Sequence, residues 1–290
     1  MKVLLTGANG QLGLCFQDCI SNSIELTALS SKELDITCKA AVQRIVNTVK
    51  PDVIVNCAAY TAVDKAESEP KLAHDVNCQG PENLAYATAM LDIPLIHVST
   101  DYVFDGNATE PYLSTDATSP QGVYGQTKLA GEQAIMAVTS KYIIIRTAWV
   151  FSEYGNNFVK TMLNLSAKHS ELKVISDQIG TPTYAGDLAK FLSYIIEHGK
   201  YYYGLYHFNG GQTTSWYEFA KEIFKVAKMA DSNFDVPDVF PINSDEYPSI
   251  AKRPMFSVLD SSLTDSVFER RTSASWSNSL IHVIKKLLVK

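Results

Sequence analysis

Three observations predict an α/β fold, a Rossmann-type doubly wound parallel sheet with a smaller, mainly C-terminal lobe. Short aliphatic runs alternate with helix-length segments through the first half of the chain, the pattern of βαβ units. The first run ends at Thr6 and opens directly on Gly7-x-x-Gly10-x-x-Gly13, a glycine turn between strand and helix. After Trp149 the rhythm changes to shorter strands, turns and amphipathic helices.

Strands are expected at 2–6, 25–29, 52–56, 94–99 and 142–147, whose β-branched and aliphatic residues suit burial on both faces. Helices are expected at 11–20, 40–49, 69–91 and 124–137. Pro51, Pro70 and Pro94 fall at boundaries, where a missing amide hydrogen costs least. A helix at 157–168 then leads to a strand near 173–175, a turn through Gly180-Thr181-Pro182, a helix ending at Glu197 and a strand at 205–208. A helix at 216–228 follows. The polar, proline-bearing stretch 231–254 reads as loops, and the last helix carries Leu280, Val283, Ile284 and Leu287 at helical spacing.

The chain has 290 residues, 46% of them hydrophobic and 19% charged, which suits a soluble globular protein with a substantial core. A net charge of −6 supplies no broad basic face, so neither nucleic acid nor an anionic membrane is expected as a partner. The first strand-like run begins almost at Met1, and no apolar run approaches the roughly 20 residues of a membrane span, so a cytoplasmic protein is expected. Cys15, Cys19, Cys38, Cys57 and Cys78 show neither CxxC nor zinc-finger spacing and read as small apolar packing residues. With the histidines scattered, no metal is expected.

Gly7, Gly10 and Gly13, with Gln11 and Leu12 at the helix start, form a turn whose missing side chains let backbone amides approach a pyrophosphate. Ribose specificity is read at the end of the second strand, where Leu29-Ser30-Ser31-Lys32-Glu33 offers two hydroxyls and an ammonium. These favour NADPH. Glu33 within range would permit NADH, and Lys32 reads equally as a solvated charge. Asp35 and Ile36 suit an adenine corner, although Asp35 is also placed to cap a turn with Thr37. Ala58 and Ala59, followed by Tyr60, are small enough for close approach of a cofactor or of a packed helix.

Tyr124 and Lys128 lie one turn apart on a predicted helix, and Thr100 lies just past the predicted fourth strand, at the sheet edge where open α/β folds bind ligands. In this order they supply an acid for a carbonyl oxygen. Lys128 can stabilise a phenolate and hold the nicotinamide ribose, Thr100 can hydrogen-bond the substrate oxygen, and Tyr124 can donate the proton.

At these residues the chain closely resembles the dTDP-4-dehydrorhamnose reductases, members of the extended short-chain dehydrogenase/reductase superfamily. The specific matches begin with Cys57-Ala58-Ala59-Tyr60-Thr61-Ala62-Val63-Asp64-Lys65-Ala66-Glu67 and Ser99-Thr100-Asp101-Tyr102-Val103-Phe104-Asp105-Gly106. Thr118-Ser119-Pro120 precedes Tyr124-Gly125-x-Thr127-Lys128-Leu129-Ala130-Gly131-Glu132. Arg146-Thr147-Ala148-Trp149-Val150-Phe151, Gly155-Asn156-Asn157-Phe158 and Asp177-Gln178-x-Gly180-x-Pro182-Thr183 continue the likeness, which thins after Lys228.

The resemblance implies reduction of the C4 ketone of dTDP-4-dehydro-β-L-rhamnose to dTDP-β-L-rhamnose, with Thr100, Tyr124 and Lys128 catalytic. It implies that Thr61, Val63, Tyr102 and Trp149 line the sugar site, that Asp101 adjoins it, and that Arg253 meets the diphosphate. Taken alone, Trp149 also reads as a core aromatic and Arg253 as a surface residue before the rigid Pro254. Residues 1–150, with 181–210 returning to them, are expected to bind the dinucleotide, and 151–180 with 211–290 to form the substrate lobe. Some family members dimerise through magnesium held by glutamates, but Cys15 stands at one such position, so no metal bridge is expected and monomer and homodimer both stay open. An NAD-retaining nucleotide-sugar epimerase and a non-catalytic NADP-binding regulatory subunit are the alternatives; Tyr102 after Asp101 argues against a dehydratase.

Overall fold

The computed structural model describes residues 1–269 and 275–288. In the first half, β1 (Lys2–Thr6) turns into α1 (Gln11–Cys19), β2 (Glu25–Leu29) leads to α2 (Lys39–Val49), and β3 (Val53–Asn56) to α3 (Val63–Ala66) and α4 (Pro70–His74). A π turn over Asp75–Gln79 joins α4 to α5 (Gly80–Leu91). Then come β4 (Leu95–Thr100), a 3-10 turn at Asp101–Val103, α6 (Val123–Val138) and β5 (Tyr142–Thr147).

The second half runs through β6 (Val150–Phe151), α7 (Phe158–Ser166), β7 (Glu171–Ile175), β8 (Ile179–Gly180), β9 (Thr183–Tyr184), α8 (Ala185–Glu197) and β10 (Gly204–His207). It ends with β11 (Thr214–Ser215), α9 (Trp216–Ala230), β12 (Asp238–Ile242), α10 (Ser262–Val267) and α11 (Trp276–Leu288).

Six strands form one parallel sheet in the order β10-β5-β4-β3-β1-β2. Successive strand residues alternate between two apolar layers, as the period of a pleated strand requires. Val3, Leu5, Val53 and Val55 pack toward Phe16 of α1 and Leu188 of α8, whereas Leu4 and Ile54 pack toward Val42 of α2 and Leu84 of α5. A separate cluster gathers Phe151, Phe219, Phe224, Leu280 and Ile284 from β6, α9 and α11. The direction of strand succession reverses between β1 and β3. A crevice opens beyond the carboxyl ends of strands at such a reversal.

Two expectations are corrected. Residues 69–91 are not one regular helix: the π turn intervenes, and it lets buried Asn77 donate to the Tyr60 carbonyl and to Thr127 Oγ1 while accepting from Tyr60 N–H. The stretch 231–254 is not all loop, because β12 pairs in parallel with β7. β12 pairs with β7 alone in its sheet, so Pro241 is tolerated there without an inward donor. No helix of the described residues is long and apolar enough to cross a membrane.

Candidate functional site

The crevice at the β1/β3 reversal is about 270 Å³ and is walled by the ends of β1, β2 and β3. Gly7 adopts φ +72°, and a Cβ there would lie 2.5 Å from the Ala58 nitrogen, so only glycine lets the two strand ends approach this closely. Gly13 serves a different purpose, since a Cβ would lie 2.3 Å from the Gly7 carbonyl and push α1 off the turn. Gly10, at the N-cap of α1, provides no side-chain cap, which leaves first-turn amides for an anionic ligand.

Gly7, Gly10, Ser30, Ser31, Asp35 and Ile36 all line this crevice, as do Ala58 and Ala59. Asn9, Lys32 and Val76 line it too, Val76 being delivered by the π turn that the sequence did not announce. Glu33 is turned back onto Ser30, accepting from its N–H and its hydroxyl at 2.8 Å each, and the Ser30 N–H holds the carboxyl below its ordinary range. Asp35 both borders the crevice and accepts from Thr37 N–H and Oγ1. The cradle and its hydroxyl-and-ammonium rim fit a dinucleotide with a ribose phosphate.

Gln11, Leu12 and Tyr60 lie outside the crevice wall, as do Gly13, Tyr124 and Lys128. Gln11 spends its side chain on residues 152–157, accepting from Ser152 Oγ at 3.0 Å and Asn157 Nδ2 at 2.9 Å. Leu12 packs on the core beneath α1. Tyr60 is held through its backbone by Asn77, and its phenol donates to Glu69 Oε2 at 2.6 Å.

Beside the crevice, Thr100 ends β4 and its hydroxyl donates to Asp101 Oδ1 at 2.9 Å. Tyr124 sits in the first turn of α6, whose start is fixed by Glu67 accepting from Val123 N–H at 2.9 Å. The Tyr102 ring meets Tyr124 edge-on at 5.4 Å, and Gly125 lets α6 lie directly on the Tyr102 carbonyl. Burial pushes the Tyr124 phenol up to about 12, with a hydrogen bond from Thr100 opposing and the Asp101 charge adding to the rise. Burial likewise raises Asp101 to about 6, against hydrogen bonds from Ser257 and Thr100.

Lys128 is 2% exposed, one turn below Tyr124. Its ammonium donates to the Val98 carbonyl at 2.7 Å, and burial brings it down to about 8 against the opposing pull of Glu132 and Cys57. The lysine therefore reaches from α6 to the carbonyl edge of β4.

Of the expected sugar-side residues, Asp101 and Arg253 act on Tyr102. Arg253 forms a two-pronged pair with Asp64, Nη2 to Oδ2 at 2.8 Å and Nη1 to Oδ1 at 3.3 Å, and also bonds Ser249. Those donors keep the Asp64 carboxyl below its ordinary range, and both charges act on the Tyr102 phenol. Val63 opens α3 next to Asp64, and Thr61 is exposed just before it. Trp149 is half-buried at φ +49°, its ring stacked on Trp216 at 3.5 Å with Gly180 against its edge. It follows Thr147, the register partner of Thr100. Asp64 and Trp216 were missed from the sequence; Asp64 stood inside a quoted motif, whereas nothing marked Trp216.

Comparison with known proteins fits this geometry. The chain matches the family described as RmlD substrate binding domain over residues 1–289. It belongs to the RmlD family. A dTDP-4-dehydrorhamnose reductase from Aggregatibacter actinomycetemcomitans is 43% identical over 288 residues, covering 97% of this chain and 98% of that one. Among solved RmlD-type structures, a dTDP-4-dehydrorhamnose reductase from Clostridium acetobutylicum ATCC 824 superimposes with a TM-score of 0.92 at 43% identity, covering 99% of each chain. The enzyme from Bacillus anthracis str. Ames, solved in complex with NADP, gives a TM-score of 0.92 at 37% identity over 98% of this chain and 99% of that one.

Proposed function

We propose that this chain reduces the C4 ketone of dTDP-4-dehydro-β-L-rhamnose to dTDP-β-L-rhamnose with NADPH, NADH being the weaker reductant. The observation that carries the reading is Tyr124 beside Thr100 at the end of β4, with Lys128 one turn along α6 and acted on by Cys57 of the glycine-floored crevice that Ser30, Ser31 and Lys32 rim. The activity by which an RmlD relative is named and the NADP complex of another support it.

When bound, NADPH supplies a hydride to the substrate carbonyl carbon. Gly7, Gly10, Ala58 and Ala59 would hold its pyrophosphate side and Ser30, Ser31 and Lys32 its adenosine ribose. A phenol titrating near 12 is fully protonated at neutral pH, so Tyr124 always has its proton to give to the ketone oxygen. Thr100 donates its one proton to Asp101, and turning that proton from the carboxylate to the neighbouring phenolate oxygen would stabilise the charge left when Tyr124 gives up its own. Lys128 is charged in most molecules at pH 7 and stabilises the phenolate left behind, with little solvent to screen it.

On the sugar side, Tyr102 and Trp149 offer faces for the deoxysugar, with Thr61 and Val63 at its edge. Arg253 exchanges part of its pairing with Asp64 for the diphosphate. In this reading, residues 1–150 and 181–210 carry the cofactor and 151–180 with 211–290 the sugar; residues 270–274 and 289–290 lie outside the described residues. The five unpaired cysteines accord with the cytoplasm.

The deciding experiment follows NADPH absorbance after adding dTDP-4-dehydro-L-rhamnose made in situ from dTDP-glucose by the two preceding enzymes. Loss of NADPH with dTDP-rhamnose identified by mass spectrometry is expected. No loss, with NADPH binding demonstrated and a working positive-control reductase, would leave another keto-sugar or the regulatory-subunit reading.

A further inference from the structure

We infer that His97 is a positioning residue for Lys128: Asn56 fixes its ring so that the Nε2 hydrogen faces the lysine and disfavours the ammonium form. The inference rests on the reading of Lys128 as part of the reductive site.

The argument is one of donors and acceptors. Asn56 ends β3 with 0% exposure, and its Oδ1 accepts from Thr6 Oγ1 at 2.7 Å and from Ala58 N–H at 3.0 Å. A backbone N–H can only donate, so it fixes which end of the Asn56 amide is oxygen. The amide NH₂ must then point the other way, and there it meets His97 Nδ1 at 2.9 Å. An NH₂ group can only donate as well, so Nδ1 carries a lone pair. Burial and the neighbouring Lys128 charge keep His97 far below its ordinary pKa, so the ring is neutral and its one hydrogen is on Nε2.

Nε2 lies 3.4 Å from Lys128 Nζ. An ammonium has no lone pair to receive that hydrogen, whereas a neutral amine has one, and Nζ keeps its donation to Val98 O in either state. Other groups act on the same nitrogen from each side. Cys57, just after β3, favours the charged form, as does Glu132 on α6, although that carboxylate is already held by Arg146 of β5. Tyr124 lies one turn up α6. His97 is thus the neutral dipole in the cluster that works against the lysine charge, and it cannot turn its lone pair to the ammonium without breaking the Asn56 bond.

His207 provides an internal reference. Its Nδ1 is 3.0 Å from the Tyr112 carbonyl, which only accepts, so this second buried ring must carry hydrogen on Nδ1. Long-range proton–nitrogen NMR of the full-length protein is expected to show His97 in the Nε2–H form and His207 in the Nδ1–H form. A His97 signal of the Nδ1–H type overturns the inference, whether or not the chain reduces any sugar.

A second arm uses His97→Asn, which keeps an acceptor for Asn56 but removes the N–H aimed at Lys128. The alkaline limb of kcat, where Lys128 loses its charge, is expected to move up by about one pH unit, with KM for NADPH and for the nucleotide sugar unchanged. An unmoved limb in a variant that binds NADPH normally overturns the inference; if the variant does not fold, the ring spectra of the unaltered protein decide. Absence of reductase activity in the unaltered protein would instead remove the proposed function and leave the tautomer result standing.

Discussion

At the residue scale, burial raises both the Tyr124 phenol and the Asp101 carboxyl, and each rise has its own consequence. Tyr124→Phe is expected to bind NADPH as before while turnover falls by about 10²-fold or more, measured by NADPH titration and steady-state rates. Asp101 bears on stability as well. Its carboxyl is raised from 3.8 to about 6 in the folded chain, so the folded state holds a proton that the unfolded state releases between those values. Stability therefore falls as pH rises through that window. Asp101→Asn should add on the order of 2 kcal/mol at pH 7.5 and nothing near pH 4, read from urea denaturation at both pH values. Many of these positions were legible in the sequence because their spacing places them on a helix face or at a strand end. Glu33 was not. Whether its carboxylate faces a ribose or folds back on Ser30 depends on turn geometry that residue order does not encode.

Elements hold those residues in place through a few buried polar joints. Arg146 on β5 grips Glu132 on α6, Nε to Oε1 at 3.0 Å and Nη2 to Oε2 at 2.6 Å, with both side chains almost wholly buried. Arg146→Ala leaves a buried carboxylate unpaired and should cost about 3–5 kcal/mol of stability, whereas joint replacement by Arg146→Met and Glu132→Leu should recover most of it; urea midpoints check both. The alternation of short aliphatic runs with helix-length segments announced β1 to β5 to within a residue or two at their ends. It did not announce the π turn, where Asn77 reaches Tyr60 and Thr127 by tertiary bonds that have no local signature. Nor did it announce β12, whose pairing with β7 joins segments more than sixty residues apart in the chain.

The two halves of the molecule meet beside the glycine turn, at α1. Gln11 accepts from Ser152 and Asn157, and Asp18 accepts from the Tyr154 phenol at 2.7 Å, so residues 152–157 are fastened to α1. That segment continues from Trp149, so in the proposed function its position bears on the sugar more than on the dinucleotide. Gln11→Ala is expected to leave the NADPH dissociation constant unchanged and to raise KM for the nucleotide sugar about fivefold, the scale of one lost hydrogen bond; fluorescence titration and initial rates separate the two.

The Trp149–Trp216 stack gives the protein an optical property. Two of its three tryptophans lie face to face at 3.5 Å and 7°, close enough for their indole transitions to couple, while Trp276 stands in the apolar cluster around Phe219. Near-ultraviolet dichroism and indole emission therefore report chiefly on the surroundings of Trp149, where the proposed function seats the sugar. A ligand seated against Trp149 writes its arrival into the intrinsic spectrum, so occupancy can be followed without a label and before any hydride has moved.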